Sequence, residues 1–351
     1  MGKVRRIVPG AWTGAVADRP PLKDLSYCYE EGVTNSMLSD WQDCRYRSKL
    51  LRAGWRASES TESLEFGSLF HYLLEHGYKA VIAGEIRSWQ DAIEAFEPML
   101  AKYLALYETR RNSSSLAPQV MELLAAQAEG VWQQYCRHWH HDFKQAKTHW
   151  LELEGTFDEV WNPPSGSGPH RLRGKRDGMR EAKTGLILFE SKTKGQWDDK
   201  TLSLGLAYDR QLHFYQLANA LTMARLGMKK RITAALYNVI RRPQIAPGKN
   251  GDLKAYVQRI SADAEARPDF YFWRADLEFE QPAIDEFARE LQHMLIDFRA
   301  CSRGEIPEYR NRSACLGRKF NCRYIAACAK RHMRNYTQDG RLFPELVDDV
   351  E

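Results

Sequence analysis

The chain has 351 residues, 43% of them hydrophobic and 28% charged, with a formal net charge of +5. This composition is ordinary for a globular protein, with room for one large domain or two modest ones. No apolar run approaches the roughly 18–20 residues that span a bilayer, and no apolar stretch follows the basic N-terminus. These observations exclude a membrane-spanning protein and predict no signal peptide, hence a cytoplasmic protein of a bacterial or phage-infected cell.

The first half of the chain is predicted to be helical after an irregular segment over residues 1–32. The helical region covers 33–147. Its first helix runs through 37–51 and is capped by Asn35 or Ser36, and the next is capped by Ser63. A longer helical stretch over 88–146 breaks near two prolines, Pro98 and Pro118.

The pattern changes at about residue 148, where apolar and polar side chains begin to alternate as they do in strands. Three consecutive antiparallel strands are predicted over 149–161, 170–180 and 186–194, separated by turns rich in Pro and Gly. A single long helix follows. The remaining predicted elements are that helix at 202–226, strands at 232–240 and 271–279, and a helix at 284–300.

This order of elements predicts an α/β (mixed α+β) fold in which helices flank a central mixed sheet. The core would occupy 148–303, with the helical region 33–147 beside it. A cysteine-rich segment over 304–335 and a C-terminal tail over 336–351 would complete the chain.

A carboxylate pair and a lysine stand at the ends of the second and third predicted strands. Asp177 ends one strand, and Glu190 and Lys192 lie two residues apart on the next, so both point to one sheet face. Carboxylate oxygens suit hard divalent cations such as Mg²⁺. Such an ion activates water for attack on a phosphodiester, and a nearby lysine stabilises the anion. Taken alone, the pattern also fits a surface strand with a Glu–Lys pair.

Four motifs occur in a specific order along the chain: Gly67-Ser-Leu-Phe-His71, Gly174-Lys-Arg-Asp177, Glu190-Ser-Lys192 and Gln211-Leu-His-Phe-Tyr215. They resemble the motifs of the PD-(D/E)XK nuclease superfamily, and in particular its RecB-like branch, which includes the CRISPR-adaptation exonucleases. The resemblance spans about 37–328. It implies a restriction-endonuclease-like core and a metal-dependent DNA nuclease, an exonuclease rather than an endonuclease, in DNA recombination, repair or phage DNA processing.

The resemblance also implies roles for individual residues. His71, Asp177, Glu190 and the carbonyl of Ser191 would ligate Mg²⁺ or Mn²⁺, and Lys192 would act on the attacking water. Members often carry another Glu in the first strand. Glu152 and Glu154 both fit that position and are predicted to face the same way, and we favour Glu154. Gln211 and Tyr215 would orient DNA or Lys192.

Seven cysteines in a chain without an export signal argue against a disulfide framework. Some RecB-like nucleases hold a 4Fe–4S cluster with one early cysteine and three late ones, and four cysteines resemble that set: Cys44, Cys315, Cys322 and Cys328. Here Arg45 replaces the usual proline, and the first late gap is six residues rather than two. The cluster would staple the C-terminal segment to the N-terminal helices. Zn²⁺ held by the three late cysteines and His332 is the alternative, and buried cysteines without a metal are the other.

Basic residues concentrate near the C-terminus, with eight Lys or Arg against one acid from 308 to 334. Such a stretch suits a phosphate backbone, although a solvated helix has the same composition. The predicted DNA contacts, mostly independent of base sequence, come from Arg173, Lys175, Arg176, Arg318, Lys319 and Arg323. A recombination or replication protein is a possible further partner. The alternative functions are a non-catalytic DNA-binding subunit and a Cys₃His zinc protein that binds RNA.

Overall fold

The computed structural model describes most of the chain, with gaps. The described residues are 27–57, 61–109, 115–144, 150–183, 185–248, 251–316, 322–330, 333, 336–338, 343 and 346. Most of the predicted irregular N-terminal segment therefore lies outside the described residues. No described helix combines the length and the hydropathy that crossing a membrane requires.

The first predicted helix is two helices, α1 (Asn35–Asp43) and α2 (Arg45–Arg52). The hydroxyl of Thr34, rather than Asn35 or Ser36, caps α1 by accepting from the amide of Met37. Cys44 separates the two helices with φ −161° and ψ 112°, which is extended backbone. The prediction of one continuous helix was wrong, because Cys44 ends α1 and is the residue before the first turn of α2.

The rest of the helical region consists of α3 (Glu62–Ala83), α4 (Trp89–Glu94), α5 (Phe96–Thr109) and α6 (Pro118–His138). Thr61, not Ser63, caps α3 through the amide of Leu64. Pro118 begins α6 as predicted, at a position where the missing N–H costs nothing. The predicted break near Pro98 is also present: α4 ends at Glu94 and α5 begins at Phe96. Pro98 therefore lies in the first turn of α5, where its missing N–H costs no intrahelical hydrogen bond.

A five-stranded mixed sheet forms the centre of the molecule, which confirms the predicted fold class. The strand order follows the chain, β4 and β5 are parallel, and the other neighbours are antiparallel. A short strand, β1 (Trp55–Ala57), lies outside this sheet. The strands of the sheet are β2 (Trp150–Trp161), β3 (His170–Ala182), β4 (Gly185–Lys194), β5 (Ile232–Arg241) and β6 (Phe272–Glu278).

The helix predicted over 202–226 is also divided, into α7 (Asp199–Leu206) and α8 (Arg210–Arg225). The division comes from Asp209, whose carboxylate accepts from the amides of Gln211 and Leu212 and so begins a new helix. The sequence analysis omitted α9 (Leu253–Ala266) and α10 (Pro268–Tyr271), which lie between β5 and β6. The last long helix is α11 (Gln281–Ser302).

Both faces of the sheet are covered by helices. On one face Phe189 packs into a core with side chains of α3, α6 and α9. On the other, its neighbour Leu188 packs with α8 and α11. Successive residues of a strand point to opposite faces, so the apolar segment of β4 contributes to both cores and carries the Glu190-Ser-Lys192 motif between two helical layers.

The C-terminal segment returns to the start of the fold. A short strand, β1 (Trp55–Ala57), pairs antiparallel with β7 (Tyr336–Gln338). A small helix, α12 (Ile325–Lys330), precedes β7, and Tyr324 packs with Leu50 and Tyr336 in a separate apolar cluster. Residues almost 300 positions apart in the sequence are thereby joined around α2.

Candidate active site

The candidate site lies where β3 and β4 separate. Their paired residues run from Ala182–Gly185 to Gly178–Phe189, and the next residues are Asp177 on β3 and Glu190 on β4. Beyond this point the amide of Ser191 donates to Asp177 Oδ2 at 2.7 Å instead of to a strand partner. We call this point, where β3 and β4 separate after Gly178 and Phe189, the fork. It holds the two motif carboxylates, Asp177 and Glu190, beside each other on neighbouring strands.

Two motif glycines are required by close packing at this fork. A Cβ at Gly67 of α3 would lie 2.9 Å from Thr193 Oγ1, so glycine lets α3 approach the end of β4. A Cβ at Gly174 would lie 2.4 Å from the ring of Phe157. Larger side chains at either position would displace α3 or β3, and with them the residues that these elements carry into the site.

Three side chains from separate elements form a group suited to a cation. One donor atom each from His71 of α3, Glu154 of β2 and Asp177 of β3 lie within 4.8 Å of one another. His71 Nδ1 is 3.7 Å from Asp177 Oδ2, and Lys175 Nζ is 3.0 Å from Glu154 Oε2. Imidazole nitrogen and carboxylate oxygen together are a donor set that first-row divalent ions accept.

Glu152 and Glu154 point to different sides of the sheet, so the expectation that they share a direction was wrong. Glu152 Oε2 accepts from Arg176 at 2.9 Å, and Arg176 also donates to Asn219 of α8 at 2.9 Å. A bulge near the start of β2 and a left-handed φ of 53° at Glu154 interrupt the regular alternation. Only Glu154 reaches the face of Asp177.

Glu190 and Lys192 share the face toward α8, where Gln211 joins them. Lys192 Nζ donates to Glu190 and to Gln211 Oε1, the latter at 3.0 Å. Gln211 Nε2 lies 2.8 Å from Glu190 Oε1 and 2.9 Å from the hydroxyl of Tyr215. The cap at Asp209 places Gln211 in the first turn of α8. Gln211 and Tyr215 therefore face Lys192, and no DNA contact is needed to hold them there.

The site is short of positive charge. Burial raises the pKa of Glu190 to about 8 and that of Glu154 to about 7, and Asp177 adds to both shifts. Burial lowers the pKa of Lys192, but the carboxylates of Glu190 and Asp177 outweigh it and leave that pKa above its ordinary value. Burial also lowers the pKa of His71, which favours its neutral, metal-binding form. Crowded buried carboxylates of this kind are relieved by a cation.

A buried polar network supports the fork from behind, and the sequence analysis missed it. Asn238 of β5 donates to Ser191 Oγ at 3.0 Å, and Arg274 of β6 donates to Asn238 Oδ1 at 2.9 Å. Arg274 also donates to Asp142 at 2.6 Å and to the hydroxyl of Tyr135 at 2.9 Å. The sequence signal for this network was Asn238 inside the apolar run of β5, because a fully buried asparagine requires hydrogen-bond partners.

The four predicted cluster cysteines lie near one another, where the C-terminal segment packs against the junction of α1 and α2. The amide of Asn311 donates to Cys44 Sγ at 3.3 Å. The thiol of Cys315 is partly buried and within electrostatic reach of Cys322, Cys328 and Cys44, and these effects together raise its pKa. His332, the fourth ligand of the zinc alternative, lies outside the described residues.

The predicted DNA-contacting residues have mixed surroundings. Arg173 pairs with Asp158 at 3.2 Å, Lys175 pairs with Glu154, and Arg323 is exposed and 3.5 Å from Asp40. Arg176 is only 3% exposed, and this burial does not fit the predicted contact with a DNA backbone. Arg318 and Lys319 lie outside the described residues.

Comparison with known proteins assigns this chain to a family. The profile of the PD-(D/E)XK nuclease superfamily matches residues 33–329. The chain belongs to the PD-(D/E)XK nuclease superfamily.

The other comparisons add little to this assignment. No curated protein sequence matches the chain. Among solved structures, a "putative exonuclease" from Eubacterium rectale has a TM-score of 0.46 and 11% identity, over 80% of this chain and 85% of that one. A protein named SSO0001 has a TM-score of 0.22 and 15% identity, over 41% of this chain and 49% of that one.

Proposed function

We propose that this protein is a divalent-metal-dependent deoxyribonuclease that hydrolyses phosphodiester bonds, acting as an exonuclease in DNA recombination, repair or phage DNA processing. The observation that carries the proposal is the convergence of His71, Glu154 and Asp177 within 4.8 Å, next to the Glu190–Lys192 pair at the fork. Membership in a nuclease superfamily supports hydrolysis of nucleic acid. The carboxylate oxygens of Glu154 and Asp177 suit Mg²⁺ or Mn²⁺ as the cofactor.

The residues present fit such an ion. Glu190 Oε2 is buried without a hydrogen-bond partner among the described residues, although an unpaired buried carboxylate oxygen is costly. Asp177 belongs to the group of three and is close enough to Glu190 to raise its pKa, so a cation held by that group would also offset the charge of Glu190. His71, Glu154, Asp177 and Glu190 would hold the ion, with the carbonyl of Ser191 as a further oxygen. When bound, the ion would supply Lewis-acid stabilisation of the phosphodiester and a lowered pKa for the attacking water.

The other side chains position and charge the reacting groups. Lys192, held by Gln211 and Glu190, places an ammonium beside the carboxylates, where it stabilises the anionic phosphate and can exchange a proton with water. Tyr215 fixes Gln211 through its hydroxyl. Asp177 has two tasks, since its Oδ2 accepts from the Ser191 amide and lies close to His71.

Digestion of labelled DNA tests the proposal. Linear single- and double-stranded DNA and a covalently closed circle are incubated with Mg²⁺ or Mn²⁺. We expect stepwise loss of nucleotides from the linear DNA, no cleavage of the circle, and complete inhibition by EDTA. Asp177→Asn should lower the rate by at least about 10²-fold while DNA binding, measured by fluorescence anisotropy, persists.

The outcomes separate the competing functions. Cutting of the closed circle would replace exonuclease by endonuclease action. Binding of DNA without cleavage under any of these metals would establish the non-catalytic subunit instead. An Asp285→Asn variant serves as the matched control, because Asp285 is exposed on α11 and is bonded by Gln281 rather than by a predicted DNA-contacting residue.

We also propose that Cys44, Cys315, Cys322 and Cys328 bind a 4Fe–4S cluster. Among the described residues, no three of these thiols lie within 4.8 Å of one another. A tetrahedral zinc site with Zn–S bonds of about 2.3 Å needs shorter spacings. A cubane cluster holds one thiolate at each iron corner and so spreads them farther apart. The cluster would join the C-terminal segment to α1 and α2.

Anaerobic purification tests the cluster. We expect a brown protein with about four irons per chain, as a cubane requires, and loss of the colour and most of the iron in Cys44→Ser. Cys28→Ser is the control, because Cys28 is exposed and bonded to Glu30 instead. A colourless protein containing zinc, unaffected by Cys44→Ser, would support the Cys₃His alternative.

A further inference from the structure

A cavity of about 730 Å³ lies beside the candidate active site. It is enclosed by the first turn of α3, the first half of α6, the end of β4 and the segment that follows β5. This volume is within the range of pockets that bind small ligands, about 300–1,000 Å³. The side chains used in the argument below are Leu123, Gln127, Lys194, Arg242, Gln244 and Ile245.

We propose that this cavity, here called the base cavity, holds one unpaired base of the DNA strand that is being cut. The inference rests on the proposed nuclease function and extends it. It assigns a subsite for single-stranded DNA near the scissile phosphate, and it implies that a duplex must open locally before its base can enter.

The base cavity and the candidate active site share two elements, β4 and α3. On β4, Lys194 is two residues beyond Lys192. On α3, Ser63 lines the cavity and precedes His71 by eight residues, a distance of about 12 Å along a helix. That distance equals about three or four nucleotides of a stacked strand, and fewer in an extended one. A strand with its scissile phosphate at the fork can therefore place a nearby base in the cavity.

The lining has the chemistry that a base requires. Leu123 and Ile245 supply apolar surface for the flat faces of the ring, and Gln244 supplies an amide group for its polar edge. Arg242 and Lys194 add positive charge for the adjoining phosphates. Single-stranded nucleic acid is bound by this combination of apolar or aromatic surface, edge contacts and cations. A wholly apolar side chain of a partner protein would gain nothing from the amide and cations.

The walls are held by bonds within the protein, so the cavity exists before a ligand arrives. The amide of Arg242 donates to the carbonyl of Lys194 at 3.0 Å, and its guanidinium donates to Gln127 Oε1 at 3.1 Å and to Glu62. The hydroxyl of Tyr256 accepts from Gln127 and donates to the carbonyl of Ile245 at 2.7 Å. Such preorganisation lowers the entropy lost on binding.

An abasic walk tests the base cavity. A set of single-stranded oligonucleotides carries one abasic site, moved one position at a time through the six nucleotides on either side of the first cut. We expect the kcat/KM of the wild type to fall about tenfold, the value of one stacked base, at one position and much less elsewhere. The same set is then cleaved by Leu123→Trp, whose larger side chain narrows the cavity at its apolar wall.

The Leu123→Trp variant should cleave the intact oligonucleotide about tenfold more slowly than the wild type and show no further penalty at the sensitive position. Leu226→Trp, an exposed leucine at the end of α8, is the control and should retain the penalty. A wild type that cuts all abasic substrates equally would overturn the base cavity and leave the nuclease proposal intact. A penalty that persists in Leu123→Trp would also overturn it. Failure to cut any oligonucleotide would instead reject the proposed function.

Discussion

Replacement of Lys192 by methionine is expected to reduce the cleavage rate of the protein by about 10²–10⁴-fold, the usual contribution of a positioned proton donor or acceptor. Methionine keeps most of the length of the side chain and removes its charge. The ammonium donates to Glu190 and Gln211, so its loss removes the cation next to the reacting phosphate. Single-turnover cleavage of a labelled oligonucleotide with Mn²⁺ measures the chemical step directly.

The fold should tolerate this change. Glu190 already has a pKa of about 8 through burial and the nearby Asp177, so without Lys192 it can take a proton rather than remain as an unpaired buried charge. Lys183→Met is the control, because Lys183 lies exposed in the turn between β3 and β4. If Lys192→Met keeps an unfolding curve like that of the wild type and cleaves within threefold of its rate, Lys192 has no role in the reaction.

Asp142→Asn is expected to destabilise the protein by about 3–5 kcal/mol, the typical result of removing one partner of a buried ion pair. The carboxylate of Asp142 is 2.6 Å from Arg274 and 3.0 Å from Arg180, and it accepts from the hydroxyl of Tyr78 at 3.0 Å. The asparagine cannot balance two largely buried guanidinium groups. Urea denaturation at pH 7 measures the difference in the free energy of unfolding.

The pH dependence of the same interaction can also be predicted. Burial would raise the pKa of Asp142, but Arg274 and Arg180 hold it at about 2, below the value of about 3.9 in an unfolded chain. The stabilisation is therefore complete above about pH 4 and is lost as the pH falls toward 2, a change of about 2–3 kcal/mol. The difference in the free energy of unfolding between the wild type and Asp142→Asn should therefore become smaller as the pH falls from about 4 toward 2.

The exposed pair of Glu265 and Arg137 provides the comparison for Asp142. Glu265 Oε1 accepts from Arg137 at 3.1 Å, both side chains are substantially exposed, and surface pairs of this kind contribute about 0–1 kcal/mol. Glu265→Gln should therefore unfold at nearly the urea concentration of the wild type. Equal effects of the two substitutions would mean that the network around Asp142 contributes no more than an ordinary surface contact.

The parts of this molecule that could be predicted from sequence are those controlled by local periodicity and motif order. Alternating side chains predicted β2 and β3, an apolar run that ends in charged residues predicted β4, and the two-residue spacing of Glu190 and Lys192 placed them on one face. The helix breaks at Cys44 and Asp209 were not predicted, because each depends on how one residue directs its backbone or side chain. The apolar periodicity continues through both breaks.

The long-range polar contacts behind Ser191 could not be predicted from the spacing of their residues. Asn238, Arg274 and Asp142 lie on three elements, and nothing in their spacing indicates that they meet behind Ser191. The choice between Glu152 and Glu154 depended on a bulge and on a single backbone angle. Both residues fit the family pattern, and only the structure distinguishes their directions.

The left-handed backbone at Glu154 has a consequence for protein engineering. A residue other than glycine, asparagine or aspartate in this conformation costs roughly 1–2 kcal/mol, so stability design would place a glycine there or straighten β2. The first change removes the carboxylate, and the second turns it toward Glu152 and away from Asp177. A variant stabilised by either route would unfold at a higher temperature. It would also have lost Glu154 from the group of three side chains that it forms with His71 and Asp177.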